Sequence, residues 1–182
     1  VDNLGYGYLG MSANTMNVNK EPGSDASKAY RKAFATVLAA YRTVAIESYY
    51  GERASVINYP ISNTSWAAPQ AADPGYKVAF SVDAQGKDIY TSDMTDEQKY
   101  EAALQAALGF FEAAGCKVEN GKVVSNPEGG MDTANYAIER EALIPADGKG
   151  DHPSFMILTE ASKALEKIGV HLIVTDLADS TQ

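Results

Sequence analysis

Near its C-terminal end the chain carries Val170-His171-Leu172-Ile173-Val174, an apolar run broken only by a histidine. Short apolar runs of this kind read as buried strands. Ahead of it, residues 135–145 are strand-like, and the turn Asp147-Gly148-Lys149-Gly150 leads to Asp151 as an expected N-cap. Pro153 then sits in the first turn of a helix that runs to about Lys167 and stops at Gly169. Strand, helix and strand over residues 135–174 form a βαβ-type crossover, so the chain must contain a sheet with helices against it. The residues after Val174 are too few to cover a buried strand, so further covering elements are expected.

The rest of the sequence fits this class. Residues 4–18 carry Leu4, Tyr6, Tyr8, Leu9, Met11, Met16 and Val18, and Tyr6 and Tyr8 predict an extended strand. Glu21-Pro22-Gly23-Ser24-Asp25 is a turn and helix start. Apolar residues at 30, 34, 37, 38, 41, 44 and 45 predict one helix over residues 26–48, stopped by Gly51. Thr95-Asp96-Glu97-Gln98 is a capping box, and the helix it opens ends at Gly115. Asn120-Gly121 predicts a hairpin turn. The fold class is therefore α/β or α+β, a mixed sheet with flanking helices, read as a single domain over residues 1–182.

Charge and composition exclude several functions. The chain has 15 Lys+Arg against 24 Asp+Glu, a net charge of −9. A general nucleic-acid binder needs a basic face, so nucleic acid is not an expected partner. One cysteine and two histidines leave no internal disulfide, no thiolate cluster and little basis for zinc. No cofactor or metal is expected. No apolar run approaches the length of a membrane span, and no signal precedes Val1, so the chain reads as a processed protein or a piece of a longer one.

The individual motifs are mostly ordinary. Gly5-Tyr6-Gly7-Tyr8-Leu9-Gly10 matches a dinucleotide fingerprint in spacing but lacks the strand before it and the helix after it. Asp147, Asp151 and His152 are too few for a metal site and suit a helix start. A helix start offers amides and partial positive charge to an anion, and His152 adds a donor. Serines occur without a nucleophile motif. Cys116 reads as a packed thiol and His171 as a structural residue. Asn63-Thr64-Ser65 is a glycosylation sequon.

Residues 52–92 have no sustained period and hold Pro60, Pro69, Pro74 and the only tryptophan, Trp66. A long loop with a short strand near residues 77–82 is expected, and long loops are often functional. Residues 58–66 concentrate rings, amides and hydroxyls, a set that grips peptide backbone or sugar hydroxyls. Two readings stand: a recognition loop, or an ordered surface loop whose Trp66 fills the core.

Several segments in order resemble the family 5 extracellular solute-binding proteins, the oligopeptide-, dipeptide- and nickel-type receptors of bacterial ABC importers. They are Tyr30-Arg31-Lys32-Ala33-Phe34, Tyr59-Pro60 with the Trp66 loop, residues 99–116 from Lys99-Tyr100-Glu101 to Ala114-Gly115-Cys116, and Phe155 onward through Ala164-Leu165-Glu166-Lys167-Ile168-Gly169-Val170. Ala39-Ala40 stands where the family has Asp-Arg, and Asp96-Glu97-Gln98 replaces its Asp-Pro. The resemblance implies a periplasmic-binding-protein-like lobe, most of the second lobe of a two-lobed clamp whose remainder lies elsewhere in the protein. It implies an extracytoplasmic location, periplasmic or lipid-anchored, and no enzymatic activity. Its partners would be a small solute, foremost a peptide, an ABC permease and the remaining lobe. Ligand contacts carried over from it fall on Tyr59, Asn63 and His152, with the ligand's carboxyl end near Asp151-His152. Two rival readings stay open: a hydrolytic domain using carboxylates such as Glu139 and Glu141, and a structural or interaction domain without a ligand.

Overall fold

The computed structural model describes residues 5–145, 150 and 152–177. Helices and short strands follow in the order α1 (Asp25–Ala40), α2 (Arg42–Tyr50), α3 (Asp96–Ala113), β1 (Val118–Glu119), β2 (Lys122–Val123), β3 (Ile138–Ile144), α4 (Pro153–Glu166) and β4 (Val170–Asp176). A 3-10 turn at Gly51–Arg53 comes directly after α2. The class is mixed α/β. Among the described residues the strands form two separate pairs, β1 with β2 antiparallel and β3 with β4 parallel.

β3, α4 and β4 are the expected crossover unit. Val170 and Leu172 are buried, while His171 between them lies opposite Glu139 on the half-exposed side. α4 lies against β4, and Ser162 on α4 donates to the Leu172 carbonyl at 2.6 Å. The α4 cap differs from the expected one. Asp151 lies outside the described residues, as does Asp147, and the N-cap is His152, whose Nδ1 accepts from the Ser154 amide at 3.2 Å. Any short side chain with a lone pair can cap; here Pro153 at the first helical position sets the register one residue later.

α3 forms as its sequence dictates. The Thr95–Gln98 capping box is reciprocal. At the other end Gly115 takes φ +98°, its amide donates to the Glu112 carbonyl and the Cys116 amide donates to the Phe111 carbonyl, each at 2.9 Å. That is a Schellman close, and it aims the chain into β1. Asn120 and Gly121, both at positive φ, make the tight turn from β1 to β2.

The single helix expected over residues 26–48 is two. Tyr41 breaks it with φ −98° and ψ 0°, and the Arg42 side chain donates to the Ala39 carbonyl at 3.3 Å. The apolar stripe runs through the break because Tyr41 and Ala45 both remain buried, so periodicity alone shows no interruption. α1 packs on α3 through Tyr30, Phe34 and Phe111, three buried rings in edge-to-face contact at 5.4–6.1 Å between centroids. The expected strand at Tyr6 and Tyr8 is absent. Residues 5–10 have no regular structure and are exposed, because a strand needs a partner to take its backbone groups. Residues 16–22 are nevertheless tied to α1: Arg31 donates to the Met16 and Pro22 carbonyls, and buried Ser27 accepts from the Val18 amide at 2.8 Å.

Asp132 fastens the entry to β3. It accepts from Asn126 Nδ2 at 2.9 Å, from Arg140 Nη1 at 2.8 Å and from the Glu139 amide at 3.3 Å. Partial burial pushes its pKa up, but these donors outweigh it and hold the carboxyl below the usual aspartate value. Its contribution to stability is therefore complete above about pH 4 and is lost as pH falls through the depressed folded value. Asp132→Asn should cost about 1–3 kcal/mol at neutral pH in urea unfolding, with the gap to the parent chain closing in acid. A gap that does not vary with pH would refute the role of the charge.

Candidate binding site

Residues 54–92 are ordered by side chains rather than by ladders. The expected strand near residues 77–82 reduces to one isolated bridge, Val82 with Asp88. The organiser is Arg42 at the start of α2. Its guanidinium donates to the Ile57 carbonyl, the Ala79 carbonyl and Asn58 Oδ1, each at 3.3 Å. Burial lowers its pKa from the ordinary arginine value, and the nearby Tyr90 and Tyr76 oppose that shift. Asn58 completes the clamp. Its Oδ1 also accepts from the Ala79 amide at 3.0 Å, and its Nδ2 donates to Tyr76 Oη at 3.0 Å. One cation on a helix thus holds together stretches that lie far apart in sequence.

Tyr59 and Asn63 come together on one cavity of about 190 Å³, lined also by Ile57, Ile61, Ala68 and Tyr76. Both are engaged in shaping it. Tyr59 Oη accepts from the Lys77 amide at 3.2 Å, its ring lies 5.5 Å from that of Tyr76, and Asn63 Nδ2 donates to Ser55 Oγ at 2.7 Å. Trp66 stands in the turn between Asn63 and Ala68 and is 98% exposed, which removes the reading that it fills the core. The turn is stiffened by the Ser65 amide donating to the Ser62 carbonyl at 3.0 Å and the Ala68 amide donating to the Ser65 carbonyl at 3.1 Å. Ala68 is the buried residue there, so the small side chain anchors the turn and the large one is left outside.

His152 is elsewhere. It does not line this cavity, and its neighbour is the Tyr49 ring, 5.7 Å away, beside Tyr50 at the end of α2. Because Nδ1 accepts from the Ser154 amide, the neutral ring carries its proton on Nε2. At the α4 start Pro153 has no N–H, the Ser154 amide is taken by His152 Nδ1 and the Met156 amide donates to the His152 carbonyl at 3.1 Å, so the imidazole Nε2 proton is the main donor that a carboxylate would meet. No family model matches the chain, and no curated protein matches it.

Other chemistry-bearing residues are structural or paired. Cys116 is buried, and desolvation pushes its thiol up to about 12, the opposite of an activated nucleophile. Glu139 and Glu141 share one face of β3, but Glu139 Oε2 pairs with His171 Nδ1 at 3.0 Å across the strands. Tyr136 stacks on His171 at 4.5 Å and donates to Glu166 at 2.8 Å. Among the described residues no hydroxyl or thiol is hydrogen-bonded to either histidine ring, and no three acidic, histidine or cysteine side chains gather as a metal site. A second cavity of about 390 Å³ lies between β2, residues 131–137 and the turn after α4, away from Tyr59, Asn63 and His152. Among the described residues no helix is long and apolar enough to cross a membrane.

The importance of Arg42 and Tyr76 is not visible in the sequence. Arg42 looks like a solvated position in an amphipathic helix, and Tyr76 is one of 11 tyrosines. The one available signal is that residues 52–92 carry rings and amides without a period, which requires an organiser outside the segment.

Proposed function

We propose that this chain is a ligand-capturing lobe of an extracytoplasmic solute-binding protein, delivering a peptide to an ABC import permease and closing on it with a second lobe. The observation that carries the reading is Trp66, 98% exposed on a loop that closes two turn hydrogen bonds of its own around it. Burying that ring is worth more than burying most other side chains, so a surface that presents it is suited to being covered. The ordered resemblance of the helices and of the β3–α4–β4 unit to family 5 receptors supports the same reading. The α4 start supports a peptide in particular: the His152 Nε2 proton, set by the bond from the Ser154 amide to Nδ1, matches a free C-terminal carboxylate. Tyr59 and Asn63 act as walls of the loop cavity rather than as direct donors.

Thermal unfolding with pooled short peptides tests this. A ligand at about one hundred times its Kd adds about 2.7 kcal/mol, which raises Tm by roughly 5–10 °C for a chain this size. No shift from any pool argues against peptide capture. His152→Ser should weaken peptides with a free C-terminus about 10- to 100-fold, the worth of one hydrogen bond to a charged group, and leave amidated peptides unchanged. Serine retains helix capping, so lost folding does not mimic the effect. Equal weakening of both peptide types would remove the carboxylate role.

A further inference from the structure

We infer that Asn120, together with Gly121, is a modification site at which the chain attacks itself, loses ammonia and takes up water, so that the β1–β2 turn is rerouted as isoaspartate. The site is independent of peptide capture. The Gly121 backbone nitrogen attacks Asn120 Cγ. The N–Cγ bond forms, the Cγ–Nδ2 bond breaks, and Nδ2 leaves as ammonia with the Gly121 amide proton. The five-membered imide then takes up one water. Opening at Cγ leaves aspartate on an unchanged backbone. Opening at the Asn120 main-chain carbonyl carbon leaves isoaspartate, with the backbone running through Cβ and Cγ. The only co-reactant is water.

The sequence singles out this asparagine. Of nine asparagines only Asn120 precedes a glycine, so only there is the attacking nitrogen unshielded by a Cβ on its own residue. Pro127, after Asn126, has no N–H to attack with. The structure adds two observations. Asn120 and Gly121 are both exposed, so water reaches the turn. The carboxamides of Asn17, Asn58, Asn63 and Asn126 donate hydrogen bonds, whereas among the described residues none engages that of Asn120.

The hairpin sets the rate. The turn holds Asn120 at φ +52° and Gly121 at φ +73° between the pairs Glu119–Lys122 and Val118–Val123. Bringing the Gly121 nitrogen onto Cγ needs a different backbone rotation, so the ring closes when the hairpin opens. Opening is easy, because a two-stranded hairpin is marginal by itself. Its dock is the Val123 amide donating to the Ile168 carbonyl at 2.8 Å. Isoaspartate puts one further carbon into the main chain. A two-residue turn with both residues at positive φ cannot absorb it and keep the strands in register. Val123 therefore leaves Ile168, and the wall that Lys122, Val123 and Val124 give to the cavity of about 390 Å³ moves with it.

The test is incubation of the 182-residue chain in mildly alkaline buffer below its unfolding temperature. Trypsin cuts after Lys117 and Lys122 and releases residues 118–122, whose mass records ammonia exchanged for water. Isoaspartyl methyltransferase labels the rerouted fraction. Asn120 should convert at least about tenfold faster than any other asparagine, with isoaspartate among the products, and Gly121→Ala should slow it at least about tenfold. Equal rates at all asparagines, or conversion without isoaspartate, overturn the site. Should Gly121→Ala not fold, the comparison among asparagines in the parent chain decides alone. The isoaspartate form, separated by its added negative charge, should exchange the Val123 amide hydrogen about tenfold faster than the parent. Asn120→Asp carries the same charge on an unchanged backbone and should exchange Val123 as the parent does. Exchange at Val123 that is unchanged in the isoaspartate form, or equally fast in Asn120→Asp, overturns the undocking of the hairpin.

Discussion

Replacing Phe111 with alanine lowers the free energy of unfolding by about 3–5 kcal/mol, the range for losing a fully buried aromatic ring. Phe111 has no exposed surface and stands against both Tyr30 at 6.1 Å and Phe34 at 5.4 Å. Those contacts join α3 to α1, so the cavity left by alanine opens between the two longest helices, where rigid backbone on both sides prevents collapse. A domain stable by about 5–15 kcal/mol loses a large share of that margin. Phe111→Leu keeps most of the volume and should cost less, on the order of 1–2 kcal/mol, part of it the lost edge-to-face contacts. Urea midpoints at a constant denaturant slope measure both. An alanine variant that costs under about 1 kcal/mol would mean that the α1–α3 contact does not hold the core.

Gly169→Ala is expected to cost about 2–4 kcal/mol through two separable causes. Gly169 has φ +83°, a left-handed conformation that costs a residue with a side chain roughly 1–2 kcal/mol. In addition, a Cβ there would come within 2.6 Å of the Val123 carbonyl oxygen, which belongs to the backbone and has no rotamer with which to retreat. The contact matters because the hairpin docks at this point: the Val123 amide donates to the Ile168 carbonyl at 2.8 Å, and the Ala137 amide donates to the Gly169 carbonyl at 3.1 Å. Pushing β2 away breaks the first of these, worth about 0.5–1.5 kcal/mol. Gly121→Ala is the control. It has φ +73° and nothing within 4 Å of the added carbon, so it should show the conformational cost alone. Hydrogen exchange at the Val123 amide should speed up in the Gly169 variant and not in the Gly121 variant. Equal costs for the two substitutions would remove the close approach as a cause.

Local chemistry made much of the fold legible. The capping box at Thr95, the glycine closing α3, the Asn120-Gly121 turn and the strand–helix–strand unit ending at Val174 are written in neighbouring residues, because their physics acts over a few positions. Expectation and structure part where a distant partner decides. Tyr6 and Tyr8 alternate like a strand, but among the described residues they pair with no strand. The apolar stripe over residues 26–48 hides the break at Tyr41, which coincides with Arg42 reaching back to α1 and out to the loop. Trp66 counts as a core residue on hydrophobicity alone, yet the turn that carries it is anchored by the smaller Ala68.

The candidate site divides in the same way. Composition left residues 58–66 with two readings, a recognition loop or an ordered surface loop, and offered His152 as a donor at a helix start. It could not show that Tyr59 and Asn63 share a cavity while His152 sits apart beside Tyr49. By itself the sequence determined the class, mixed α/β, and most of the elements, since periodicity, caps and turns are short-range properties of the chain. Only the tertiary structure decided the shape of residues 54–92, because their order comes from a guanidinium on α2 that satisfies carbonyls and an amide from stretches distant in sequence. A segment held by such bonds carries no period of its own, and its form exists only once the helix that anchors it is in place.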